Sequence, residues 1–354
     1  MKNTLRALLF FGATLTITAQ NTTAKFEPKD GECLVFIGQD LEATGGLDKF
    51  GNGYTNHFES PFGITTYTNL SPGEQSYAHF NKGIDGIKTA ANWGAGYNCA
   101  QCYLEDSDYN YSSIAIGLSI VNHEKLIAKG KHDQLIIELA QWIKSSNRPV
   151  FLRIGYEFDG WDWNHYHKTY YLKAWKQIHK IFKEQNLHNV AFVWQSKGTG
   201  SNQKTLEDWY PGDDLVDWCA YSYFGKPDQE MLTFARRHRK PIFIAEATPV
   251  METDNLYFNT DLSDPKVAAA VWKHWFIPFF KTINDNQDVI KGFSYINSDW
   301  ASQPMWTNNP TFQKVDSRIQ ESTFISEAWK RELAKPKYIK PSQNLLNTLM
   351  KSTD

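Results

Sequence analysis

The chain has 354 residues, a formal net charge of −2, 41% hydrophobic and 15% aromatic residues, and 13 tryptophans. That composition excludes intrinsic disorder, collagen and coiled coil, and near-neutrality without a long single-sign run argues against nucleic acid as a partner. A chain this long buries about three quarters of its unfolded surface, so it needs no metal or disulfide staple to hold a core.

The first 19 residues read as an export signal. Lys2 and Arg6 precede an apolar stretch over residues 7–19 that ends in small residues, and Gln20 is the expected first residue after cleavage. The apolar stretch is too short to span a bilayer comfortably. No Cys follows it to carry a lipid, so a secreted protein with no membrane anchor is expected. Cys99 and Cys102 form a C-x-x-C pair in a Gly-rich stretch. Zinc would need a second pair, and a redox motif would need a βαβ context, so in an exported chain a local disulfide is expected. Cys33 and Cys219 lie in apolar runs and read as buried thiols.

Eight apolar runs follow the signal, at 33–38, 62–67, 113–118, 149–155, 190–194, 216–222, 241–246 and 289–296. They are β-branched and aromatic and nearly continuous, as strands covered on both faces should be. Amphipathic helical patterns separate them at 132–146, 168–185, 265–283 and 317–335, with weaker helices expected at 77–92 and 228–239. The Gly-rich stretch between the first two runs has no assignable helix. Eight strands alternating with helices indicate an α/β fold, a (β/α)8 barrel of one domain over residues 20–354. The alternative is an open doubly wound sheet, against which stands the absence of a Gly-rich phosphate fingerprint after the first strand.

A barrel places its chemistry at the C-terminal ends of its strands. The fourth strand ends in Arg153, Tyr156, Glu157 and Asp159, and the seventh in Glu246. Charged groups at the end of an apolar strand are costly unless paired or used. Two carboxylates across a barrel mouth suit glycoside hydrolysis, one protonating the leaving oxygen and the other attacking the anomeric carbon. Glu157 lies beside Phe158, Trp161 and Trp163, an apolar wall that favours its protonated form. Arg153 is the expected partner of Glu246, and the period-two alternation of a strand puts Arg153 and Glu157 on one face. Tyr223 or Tyr221, ending the sixth strand, is a candidate partner for the nucleophile. Gln195 after the fifth strand, and Gln39 with Asp40 after the first, are candidate hydroxyl binders. His165 and His167 have no clear third ligand, so no metal and no cofactor are expected.

Of the tryptophans, Trp142, Trp175, Trp272, Trp275 and Trp329 fall in helical patterns and Trp194 and Trp218 in strands. Trp93, Trp161, Trp163, Trp209, Trp300 and Trp306 fall in loops or at strand ends. Flat rings there are platforms for sugars, and Trp161, Trp163 and Trp300 are the candidate substrate contacts.

The segments FIGQD (36–40), RPVFLRIGYEFDG (148–160), FVWQ (192–195), WYPGDDLVDW (209–218), KPIFIAEATP (240–249) and KGFSYINSDWASQ (291–303) carry a resemblance. Through them the chain resembles glycoside hydrolase family 26 over nearly its whole length, and within it the secreted bacterial β-1,3-xylanases. The resemblance implies a retaining (β/α)8 enzyme with Glu157 as acid/base and Glu246 as nucleophile, acting on a polysaccharide; a monomer is expected. Mannanases of that family carry His before the acid/base. Tyr156 stands there in this chain, which favours the β-1,3-xylanase branch. The stretch around Cys99 and Cys102 and the loop Trp161-Asp162-Trp163 depart from that branch's pattern. The alternatives are a β-mannanase or another algal-glycan hydrolase and, from another class, a non-catalytic glycan-binding barrel.

Overall fold

A computed structural model describes residues 24–351 except 48–49, 77–78, 93, 251, 254–255 and 258–259. The expected export signal and Trp93 lie outside the described residues. Eight strands close into a parallel barrel: β1 (Leu34–Gly38), β2 (Gly63–Asn69), β3 (Ser113–Ser119), β4 (Val150–Ile154), β5 (Val190–Ser196), β6 (Trp218–Tyr223), β7 (Ile242–Ala247) and β8 (Ile290–Ile296). Each pairs with the next, and β8 pairs with β1. All eight expected strands are present, and closure excludes the open sheet.

Alternation along each strand sorts the core into two layers. Leu34, Phe36, Phe151, Val193, Trp218 and Phe243 fill the lower barrel. Val35, Ile37, Ile116, Leu152 and Ile244 face outward to the helices. The floor is sealed by Phe26 and by Leu346 and Leu349 of the last helix, Gln343–Lys351. The Trp218 indole N–H donates to the Lys25 carbonyl (2.7 Å).

The covering helices include Asp133–Ser146, Lys168–Glu184, Gln203–Trp209, Gln229–His238 and Thr323–Leu333. Asn202, Asp228 and Ser322 cap three of them by accepting backbone N–H bonds. The pattern at 265–283 is helix Pro265–Val271, a π turn Trp272–Phe276 and helix Ile277–Asp285. Pro278 has no N–H to give the preceding turn, and the wider turn takes up the misfit. Among the described residues of 77–92 the expected helix does not form. That segment holds a strand, His79–Asn81, and a 3-10 turn, Gly83–Ile87. Gly83 has φ +56°, and a Cβ there would lie 2.0 Å from the Ser71 carbonyl oxygen, so the chain turns tightly instead of coiling. Among the described residues between β1 and β2, the helical elements are the single turn Leu41–Thr44 and the 3-10 turn Tyr54–Asn56. Helix Thr323–Leu333 closes that gap, with Trp329 donating to the Tyr54 hydroxyl (3.0 Å).

Candidate active site

Above the apolar floor the barrel interior turns polar. Arg153 of β4, Gln195 of β5, Ser222 of β6 and Glu246 of β7 converge at the C-terminal end, all buried. The Arg153 Nη1 donates to Glu246 Oε1 (2.8 Å), to Gln195 Oε1 (3.0 Å) and to the Ala245 carbonyl (3.4 Å). This is a buried ion pair, costly unless both charges are fully bonded, and the guanidinium supplies a permanent positive charge beside the carboxylate. Room for Arg153 comes from Gly117 on β3. A Cβ there would lie 2.4 Å from the Tyr67 ring and 2.7 Å from Arg153 Nη2.

Glu246 reaches this layer through a register shift. The pairing of β7 slips between Ile244 and Ala247 against β8, and β6 slips opposite it between Tyr221 and Ser222. The irregularity lets Ala245 and Glu246, consecutive residues, both face the interior.

Glu157 arrives by another route. Regular β4 ends at Ile154, and strand alternation does not carry to Glu157. Gly155 (φ 53°) and Glu157 (φ 50°) take left-handed backbone, which strains a residue with a side chain. Asn164 holds the turn, its Nδ2 donating to the carbonyls of Tyr156 and Glu157 (2.9 Å each), and Phe158 N–H donates to the Gln195 carbonyl (3.2 Å). Ser222 Oγ donates to Glu157 Oε1 (2.7 Å) and the Trp163 indole N–H to Glu157 Oε2 (2.8 Å). Gln195 Nε2 in turn donates to Ser222 Oγ (3.0 Å) and Glu246 Oε1 (3.4 Å), so hydrogen bonds link the two carboxyls.

Burial pushes the Glu157 carboxyl well above the ordinary glutamate range, and the negative charge of Glu246 adds to the rise. The Ser222 and Trp163 donors oppose it and Asp159 reinforces it. Asp159 is itself buried and ties the loops after β4 and β5 together, accepting from Lys197 N–H (2.7 Å) and from the Ser201 hydroxyl.

Several expected contacts are corrected. Tyr223 packs edge-on against Trp275 and Phe279 (ring centroids 5.6 and 5.0 Å) in the helix layer. Tyr221 is buried in the same outer core. The inward residues of β6 are Trp218, Ala220 and Ser222, and both tyrosines have the opposite parity. The tyrosine that meets the ion pair is Tyr67, at the end of β2. Arg153 lies 4.8 Å from its ring centroid, its ring meets Tyr156 edge-on at 5.3 Å, and the charges of Arg153 and Glu246 act on its buried hydroxyl. Its place in the run 62–67, on the inward parity, was the available signal. Tyr223→Phe is therefore expected to leave kcat/KM within about twofold of wild type, while Tyr67→Phe lowers it by about tenfold or more. Paired steady-state assays of the two variants check this.

Asp40 is an N-cap. Its carboxylate accepts from Glu42 N–H (2.9 Å) and Ala43 N–H (3.0 Å) and is fully covered, so it is not a hydroxyl binder. Gln39 is nearly buried beside it at the end of β1. Trp300, 3% exposed, stacks on Phe312 (4.4 Å) and packs with Trp306, so its face is covered. Trp209 is buried against Phe158 and Tyr171. Trp161 and Trp163 remain open, 47% and 43% exposed, beside Glu157. Tyr156 is partly exposed and lies over Arg153, 5.4 Å from guanidinium to ring. His165 and His167 are exposed. Cys99 and Cys102 form the expected disulfide, and Cys33 and Cys219 are buried thiols. No helix among the described residues is long and apolar enough to cross a membrane.

No family model matches the chain. Individual relatives do. It is 32% identical over 344 residues to the β-1,3-xylanase TXYA of a Vibrio species, covering 92% of this chain and 69% of the relative. It is 31% identical over 354 residues to a β-1,3-xylanase of an Alcaligenes species, covering 94% and 70%. Among solved structures, a family 26 β-mannanase from Bacteroides ovatus shares the fold, with TM-score 0.57 at 14% identity over 89% of this chain and 93% of that one. With its closed barrel and these relatives, the chain is a glycoside hydrolase and belongs to the family of the β-1,3-xylanases, with the fold of the family 26 enzymes.

Proposed function

We propose that the enzyme cleaves β-1,3-xylan within the chain and with retention of configuration, using Glu246 as nucleophile and Glu157 as acid/base. One observation carries the assignment of roles: two buried carboxyls after the fourth and seventh strands have opposite surroundings. Glu246 is paired to the Arg153 guanidinium at 2.8 Å. Glu157 is desolvated and faces a second negative charge, so it holds its proton at higher pH. The substrate follows from the two β-1,3-xylanase relatives.

In the first step a Glu246 oxygen bonds to the anomeric carbon while the glycosidic C–O bond breaks. The Glu157 proton passes to the departing oxygen. In the second, ionised Glu157 takes a proton from water as its oxygen attacks the anomeric carbon and releases Glu246. Tyr67, Gln195 and Arg153 hold Glu246 through both steps. Export is part of the reading. It is supported by the Lys2/Arg6 and apolar pattern of residues 1–19 and by the Cys99–Cys102 disulfide, which belongs to an oxidising compartment.

The test is a product profile on β-1,3-xylan, β-mannan and mixed-linkage glucan, with the anomer of the first-formed reducing end read by NMR. Short β-1,3-linked xylo-oligosaccharides released first as the β anomer are expected. Mannan cut with xylan untouched would replace the substrate, and an initial α anomer would replace the mechanism with inversion.

A further inference from the structure

In the free enzyme both oxygens of Glu157 are occupied. Oε1 accepts from Ser222 Oγ at 2.7 Å and Oε2 from the Trp163 indole N–H at 2.8 Å. An acid that protonates a glycosidic oxygen must present one oxygen to it. The two donors differ in what they can do. Ser222 is buried on β6 and bonded to Gln195, so it stays. Trp163 stands on the loop after β4, 43% exposed. Its ring rests on the backbone of Gly160, where a Cβ would lie 2.5 to 2.8 Å from three indole atoms. The Lys197 ammonium lies 5.8 Å from its centroid.

We propose that Trp163 is a positioning residue for the acid/base. Its indole N–H covers Glu157 Oε2 in the empty site and gives that oxygen up to the glycosidic oxygen when the leaving sugar enters. The proposal rests on the assignment of Glu157 as acid/base. The leaving sugar takes the place of the N–H at Oε2. The O–H bond of Glu157 breaks as the proton passes to the glycosidic oxygen, and the carboxylate left behind can accept the indole N–H again. A donor to a carboxylate favours its ionised form. Removing the indole from Oε2 therefore favours the protonated acid when the leaving group needs it.

The charged and titratable groups around Glu157 are Glu246 from β7, Asp159 from its own loop, Tyr166 from the segment before helix Lys168–Glu184, and Lys197 behind Trp163. Arg153 is bonded to Glu246 and to Gln195. All of them remain in Trp163→Phe, which keeps a ring and removes only the donor.

The experiment uses the full chain. The Glu157 carboxyl is titrated by selective carbon-13 NMR in wild type and Trp163→Phe, and kcat/KM is followed against pH on β-1,3-xylan and on a dinitrophenyl β-xylobioside, whose leaving group needs no proton. The expected result is an upward shift of the Glu157 titration by about half a unit to one unit. The alkaline limb on xylan should shift with it, while the pH profile of kcat/KM on the aryl substrate should show no matching shift. Gly160→Ala, which pushes the ring off Glu157 from the other side, should shift the titration the same way. An unmoved titration with equal losses on both substrates would overturn the proposal and make Trp163 a packing residue. The titration reads Glu157 whatever the polysaccharide is. An upward NMR shift with no hydrolysis of xylan by wild type would instead reject the substrate assignment and leave the Trp163 contact standing.

Discussion

Replacing Glu246 with alanine is expected to lower kcat on β-1,3-xylan by about 10⁴-fold or more, because the step that makes the covalent intermediate loses its nucleophile. The variant keeps Arg153, Gln195 and Tyr67, and so the shape of the site. A small anion should therefore take the vacated position: azide added to Glu246→Ala with an activated aryl glycoside should restore turnover and give the α-glycosyl azide, the inverted product of a single displacement. Chromatography and NMR of the azide adduct check this. A β-azide, or residual activity above about one hundredth of wild type on xylan, would remove Glu246 from the role. Glu246→Ala deletes one partner of a buried ion pair and leaves Arg153 bonded to Gln195 and the Ala245 carbonyl, a change that costs about 3–5 kcal/mol of stability, so circular dichroism and azide rescue together separate the lost nucleophile from lost folding.

Glu157→Ala should separate substrates by their leaving groups. On xylan kcat/KM is expected to fall by about 10² to 10⁴, the usual size of a general acid contribution. On an aryl glycoside with a dinitrophenyl leaving group the first step should survive, so the covalent intermediate accumulates and a burst appears. Azide then gives the β-glycosyl azide, the opposite outcome to Glu246→Ala. The pH profile of wild type carries the same assignment. A group raised in the folded protein keeps its proton above the ordinary glutamate range and loses it only as the pH passes the raised value. The alkaline limb of kcat/KM should thus lie well above that range, and Glu246→Gln should bring the Glu157 titration down, because the neighbouring negative charge is gone.

The linkage sign follows from the same environment. Because its folded form prefers the proton, Glu157 contributes stability below its unfolded value and withdraws it as the pH rises through the raised one. The site is a place where the fold gives up stability for chemistry.

What could be read from the sequence divides along physical lines. Strands buried on both faces announce themselves as continuous apolar runs, so all eight were legible, and with them the barrel and the strand-end rule that singled out Glu157, Glu246 and Arg153. Parity beyond a strand's regular portion was not legible. Two devices set it: the left-handed residues Gly155 and Glu157, and the β6–β7 register shift, which depends on pairing between strands and leaves no mark in either one alone. The tyrosine on the ion pair was sought at Tyr221 or Tyr223 from their place at the end of β6, but β6 keeps its alternation and turns both outward, and the tyrosine is Tyr67 of β2. Ser222, the inward residue between them, bridges to the acid. Tryptophan placement was half legible. Trp161 and Trp163 are open beside the acid as their loop suggested, but Trp300 is closed over by Phe312, a partner 12 residues further on in a loop whose folding no local pattern describes. Asp40 shows the same limit in small: an acid at a strand end is also the residue a following helical turn requires as its cap.

The floor of the barrel has a practical consequence. Phe26, near the first described residue, and Leu346 and Leu349, near the last, enter one cluster with Phe36, Phe151 and Phe243 at the end of the barrel away from the carboxylates. The first and the last described segments are thus moored on the same side of the barrel. A support joined through the outer face of this floor, at the helix Gln343–Lys351, holds the enzyme by its base and turns the open cleft outward, which is the orientation an enzyme immobilised for attack on an insoluble polymer needs.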